Sequence, residues 1–162
     1  MMRILLCLAM VLLAPLASPA ALAHDYVIGD LKIDHPWARP TTSTRQPGGG
    51  FFAIENTGEV DQRLLEVRAE GFAEAIEIHT IIEEDGIFRM RRMPDGLVIP
   101  AGETVTLEPG GMHLMMFGLV EPLAEGMTPS ITLVFEELGE LSVNLTVEYP
   151  ALEEPADAGH DH

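Results

Sequence analysis

Apolar and polar residues alternate over short stretches along most of this chain. Runs such as YVIGDLKI, GFFAIEN, QRLLEVRA, EAIEIHTII, GIFRMRR, ETVTLEP, MHLMMFGLV, SITLVFEE and LSVNLTVEYP are separated by PGGG, NTGEVD, EEDG, MPDG, IPAGE, PGG and ELGE. A period of two over short runs, punctuated by Gly and Pro every roughly 8 to 12 residues, predicts the strands of a sandwich or barrel. No long segment keeps a 3.6-residue period, although RLLEVRAEGFAEAI has room for one short helical turn. No internal repeat is present, and the fold class expected from the pattern is all-β.

The two ends depart from this pattern. Residues 1–23 carry one basic residue, Arg3, then the apolar ILLCLAMVLLAPLA, then an A-x-A site at Ala21 to Ala23. The apolar run is too short and too interrupted by proline to span a bilayer, so it reads as a cleaved secretory signal peptide and leaves no membrane span in the mature chain. From Pro150 to His162 the chain is acidic without an apolar face, which predicts a disordered tail. One domain is expected over residues 24–149.

Composition narrows the partners. The formal charge is −17, and loss of Arg3 takes it to −18. Such an acidic surface argues against nucleic acid and anionic membrane, and is compatible with cations or a basic docking partner. Cleavage also removes Cys7, the one cysteine. In an oxidising compartment, soft-metal chemistry would then fall to thioether and imidazole ligands.

Strand parity singles out four such ligands. In AEAIEIHTII, Ile76 and Ile78 share one face, while His79 and Glu77 share the other. Asp85-Gly86 suits a tight hairpin turn, since Gly supplies positive φ. A two-residue loop there makes Met90 the diagonal neighbour of His79, and a loop centred on residues 84 and 85 makes it the direct neighbour; either way the two share a face. In MHLMMFG, Met112, Leu114 and Met116 lie on one face, expected to be core, and His113 and Met115 on the other. His79, Met90, His113 and Met115 would form a set of two imidazoles and two thioethers. Thioether favours Cu(I), and imidazole suits copper in either oxidation state. Calcium and magnesium would want oxygens, and structural zinc would recruit cysteine or more histidine.

These residues and their surroundings resemble the periplasmic copper chaperone family PCuAC. The pattern is His79, ten residues, Met90, 22 residues, then His113-Leu114-Met115, set among IDHPWARPT, GGGFFAIENTGEVDQRLLEV, EIHTIIEEDGIFRMRRM, GLVIPAGETVTLEPGGMHLMMFGL and PLAEGMTPSITLVFEELGELSV. The resemblance spans nearly all of residues 26–148. It implies a cupredoxin-like Greek-key β-sandwich or barrel, a periplasmic location and Cu(I) held by His79, Met90, His113 and Met115. It also implies delivery of copper to a receiving protein, a cytochrome oxidase subunit or another copper chaperone. The chain departs from the family in two places. The gap before His113 is one residue longer than usual, which we place in the RRMPDG loop and which makes Met93 an alternative to Met90. Thr80 stands where the family often has Met.

Secondary features carry further expectations. Cleavage would make His24 the first residue, and its amine and imidazole can chelate Cu(II); His160 and His162 flank Asp161 in the tail. His35, before Pro36 and Trp37, is expected to serve structure. No nucleophile and base pair or phosphate loop supports an enzyme, and a copper enzyme on His24 lacks further nitrogen ligands. A non-enzymatic carrier is the expectation, with a metal-free β-sandwich adaptor as the alternative, in which Met90 and Met115 are apolar contacts.

Overall fold

A computed structural model describes residues 25–149 of the chain. The expected signal peptide, His24 and the tail with His160 and His162 lie outside the described residues. The alternating runs become strands β1 (Tyr26–Ile28), β2 (Leu31–Ala38), β3 (Gly48–Asn56), β4 (Gln62–Ala69), β5 (Ala75–Glu84) and β6 (Ile87–Arg92). These are followed by β7 (Leu97–Ile99), β8 (Thr104–Leu107), β9 (His113–Phe117), β10 (Ser130–Phe135), β11 (Gly139–Asn144) and β12 (Thr146–Val147). No helix occurs among the described residues. The helical turn allowed in RLLEVRAEGFAEAI does not form: β4 runs straight through to Ala69, and a short turn leads into β5. The strand buries Leu64 and Val67, three residues apart, because a register shift opposite Val134 and Phe135 interrupts the alternation without turning the chain into a helix.

The strands make two sheets. The larger has the order β1-β2-β3-β9-β5-β6, with β8 also on β3 and β12 on β2; the smaller has the order β11-β10-β4-β7. All pairings are antiparallel except β12 with β2. Ile33, Ile54, Ile78, Leu114 and Met116 from the larger sheet and Leu64, Ile99, Ile131 and Leu133 from the smaller are buried in one core. Each such side chain contributes about 1.5–3 kcal/mol on leaving water. That is the driving force that joins the sheets into a sandwich, and it explains why register is tightly specified: a slip of one residue would turn every inward side chain outward.

Two glycine features differ in meaning. The PGGG segment, which reads as punctuation, belongs to β3. Gly48, Gly49 and Gly50 pair with Met116, Met115 and Leu114 of β9. A Cβ on Gly48 would meet Met116 at 3.1 Å and Leu123 at 3.3 Å, and one on Gly50 would meet Leu114 at 3.3 Å. At Gly48 and Gly50 a methyl group would crowd the side chains of β9, so glycine suits the close approach of β3 and β9 there. Asp85-Gly86, by contrast, is a true two-residue turn, with φ of 53° and 77°. It pairs Glu84 with Ile87 and thereby sets the register of the whole β5–β6 hairpin. All six residues of β6 are exposed, so this hairpin stands at the open edge of the larger sheet.

His35 sits at a bulge in β2, with φ of 46° and its ring 2.8 Å from a Glu148 carboxylate oxygen. The bulge lets Trp37 pair with Phe51, their ring centroids 4.5 Å apart.

Candidate metal centre

The hairpin register makes Met90 the direct partner of Ile81 and Arg92 that of His79. Met90 is thus diagonal to His79 on the same face, as a two-residue loop requires. The second pair arrives from elsewhere in the chain. Strand β9 lies against the other edge of β5, with His113 opposite His79 and Met115 opposite Glu77. Directly opposed residues in an antiparallel ladder point to the same side. His79, Met90, His113 and Met115 therefore share the outer face of the larger sheet, across three adjacent strands.

The next strand residues point the other way. Leu114 and Met116 are fully buried and Met112 packs against the core, as parity requires. Met93 also packs against the core, and its N–H donates to the Ile78 carbonyl at 2.8 Å. The thioether that the hairpin brings to the histidine face is that of Met90. Thr80, at the position where Met is frequent in the family, lies on the face opposite to His79.

The imidazoles are less open than a strand-face reading suggests. His113 is 8% exposed and the His79 side chain 13%, whereas Met90 is 58% exposed. Their covering was not legible in the sequence, because it comes from neighbouring strands. Phe117 lies on the same face, its ring centroid 6.3 Å from that of His79. Met90 is the open flank of the arrangement and the histidines its floor.

The ring centroids of His79 and His113 are 6.0 Å apart. An imidazole centroid sits about 3.2 Å from a metal bound at about 2.0 Å through a ring nitrogen, so two rings on one ion stay within about 6.4 Å of each other. The observed separation lies inside that bound, toward its wide-angle end.

Hydrogen bonding sets the ring nitrogens. His113 Nδ1 lies 2.9 Å from the Gly111 carbonyl oxygen. A carbonyl only accepts, so Nδ1–H donates and the lone pair of the neutral ring resides on Nε2. That carbonyl is held in a loop closed by Glu108 N–H to Met112 O at 2.7 Å and Gly111 N–H to Glu108 O at 3.0 Å. His79 Nε2 is 2.8 Å from Glu77 Oε2, and His79 Nδ1 is buried without any hydrogen-bond partner. A buried polar atom left unpartnered costs about 1–3 kcal/mol, and one in a folded protein calls for a ligand, ion or water. Among the described residues no three His, Cys, Asp or Glu side chains gather where they could hold a metal ion. A metal held here would draw on the two imidazoles and the thioethers beside them, a donor set that fits a soft monovalent ion rather than zinc or calcium.

Sequence reasoning placed Glu77 on the face of His79 but assigned it no role. The signal was there in the i, i+2 parity of Glu77 and His79. Phe117 shares the parity of His113 and Met115 on β9, and Gly111 lies two residues before His113, but its carbonyl is aimed at the ring by the loop closed between Glu108 and Met112.

Comparison with known proteins gives the family. The family described as "LpqE-like: Putative lipoprotein LpqE-like" matches residues 31–147. The chain belongs to this LpqE-like, or PCuAC, family. Among solved structures, the "Copper-bound PCuAC domain from PmoF2" is 28% identical with a TM-score of 0.66, covering 78% of this chain and 99% of that domain. The "Solution structure of apo-DR1885 from Deinococcus radiodurans" is 25% identical with a TM-score of 0.58, covering 90% and 98%. The "Putative lipoprotein Lxx21020" of Leifsonia xyli subsp. xyli is 33% identical over 107 residues, 66% of this chain. The "Uncharacterized protein RP573" of Rickettsia prowazekii is 27% identical over 115 residues, 69% of this chain. Each match spans 63% of the curated relative's own length. The PCuAC neighbours share the cupredoxin-like β-sandwich expected from the sequence.

Proposed function

We propose that this chain is a periplasmic copper carrier that takes up Cu(I) through His79, Met90, His113 and Met115 and releases it to a partner protein. The observation that carries the reading is the convergence of two imidazoles and two thioethers on one face of three adjacent strands, with the rings 6.0 Å apart. A copper-bound PCuAC domain and a Cu(I) form of DR1885 among the structural neighbours support copper as the cargo. Relatives named as lipoproteins support an exported protein.

The donor set suits a carrier better than a catalyst. Two thioethers stabilise the monovalent state, so the ion is held without redox turnover. Covered histidines and an exposed Met90 give transfer a direction: an incoming ligand can replace the outer thioether first, while the imidazoles still hold the ion. The recipient we assign is the copper centre of a cytochrome oxidase subunit or another copper chaperone. A secondary Cu(II) site would use His24, His160 and His162, all outside the described residues.

One observation favours the metal-free adaptor as a second reading: Ile87, Phe88 and Met90 make an exposed apolar edge on β6. Anaerobic competition against a colorimetric Cu(I) chelator separates the two. Tight one-to-one binding by residues 24–162, weakened by Met115→Leu and by Met90→Leu, is the carrier's signature. Affinity no better than micromolar in the wild-type chain sinks the carrier and leaves the adaptor.

A further inference from the structure

Glu77 is the one carboxylate in hydrogen-bond contact with a candidate copper ligand among the described residues, and it is held from both sides. Its Oε2 lies 2.8 Å from His79 Nε2, and its Oε1 lies 3.5 Å from Arg92 Nε. Arg92 is the direct cross-strand partner of His79, and Met115 is that of Glu77. The carboxylate therefore sits inside the ligand cluster, tied to the hairpin strand that carries Met90.

We propose that Glu77 is a positioning residue that keeps His79 protonated on Nε2, so that His79 offers its buried Nδ1 to copper while His113 offers Nε2. This assignment rests on the copper reading of the site. A carboxylate has only acceptors to give, so the neutral His79 ring must donate from Nε2 and carry its lone pair on Nδ1. Nδ1 is the ring atom that the fold leaves buried and unpartnered. Histidines that bind metals generally donate their other N–H to a carboxylate or a backbone carbonyl, which fixes the tautomer and strengthens the donor. Both arrangements are present side by side: carboxylate on His79 and the Gly111 carbonyl on His113. The two rings are consequently opposite tautomers, a feature that no pairing of identical His positions would require.

The alternative is that Glu77 merely occupies Nε2 until copper displaces it. Nitrogen-15 NMR of the imidazole rings, recorded with the rings neutral in metal-free protein and again after anaerobic addition of Cu(I), separates the two. The expected result is protonation of His79 on Nε2 and of His113 on Nδ1 before copper, with the metal-induced shifts then falling on His79 Nδ1 and His113 Nε2. Glu77→Ala should leave His79 as a mixture of tautomers and weaken Cu(I) binding roughly ten- to a hundredfold. Glu77→Gln retains an acceptor oxygen and should restore the Nε2–H tautomer, whereas Glu77→Leu keeps comparable bulk without an acceptor and should not; a purely steric role predicts rescue by both. Copper bonded to His79 Nε2, or a Glu77→Ala protein with unchanged tautomer and affinity, overturns the assignment and leaves the carrier standing. Expected tautomers in a wild-type chain that takes no Cu(I) overturn the carrier reading, and the assignment falls with it.

Discussion

Met115 and Met116 are adjacent, chemically identical and on the same five-residue strand, yet they meet different surroundings. Met116 is 0% exposed, packed beneath Gly48 in the core. Met115 points to the opposite face, beside His113 and across from Glu77. The crowding of methionine in GGMHLMMFG is thus two demands interleaved by strand parity. On the inner face the thioether is a flexible filler of an apolar space; on the outer face it is the soft donor of the proposed copper site. The direction of the Cα–Cβ bond, not the identity of the side chain, decides which face each methionine joins.

That contrast can be broken at several points. Met116→Ala should be the most damaging, destabilising by about 2–5 kcal/mol in chemical denaturation because it leaves a cavity in a filled core. Gly48→Ala comes next. Its methyl group would stand 3.1 Å from Met116 Cε, and overpacking of this kind costs about 1–3 kcal/mol. If instead it proves neutral, the triple-glycine segment is not required for the close approach of β3 and β9. Met115→Leu should leave stability within about 1.5 kcal/mol of wild type, since the volume is nearly kept. The same change should weaken Cu(I) binding by about tenfold or more, equivalent to about 1.4 kcal/mol, as read by chelator competition. Equal loss of stability in Met115→Leu and Met116→Leu, with no change in copper affinity, would erase the distinction between the two faces. Smallest of all, Phe88→Ser should shift stability by less than about 0.5 kcal/mol, because that ring is 73% exposed at the hairpin edge.

Much of the site could be read before the structure. The Asp85-Gly86 turn put Met90 on the face of His79 under either of two registers, and the structure selects the two-residue loop that makes it the diagonal neighbour. Alternation alone assigned Leu114 and Met116 inward and His113 and Met115 outward. Other features were hidden because they arise between distant segments. YVIGDLKI reads as one run but is a hairpin, since positive φ at Gly29 turns the chain between β1 and β2. PGGG reads as a turn but is a strand, since its glycines answer to side chains on β9 more than 60 positions away. The near-burial of the imidazoles was missed for the same reason.

From the sequence alone come the all-β class, the parity of side chains along β5, β6 and β9, the sharing of one face by His79 and Met90, and the family resemblance. These follow from local rules, a side-chain period of two and the backbone demands of one tight turn. Only the tertiary structure decided that β9 inserts between β3 and β5, so that His113 meets His79. Which edge of β5 receives a partner depends on burying Leu114, Met116 and Ile78 together against the second sheet. That is a cooperative packing choice among nonlocal segments, and no local pattern encodes it.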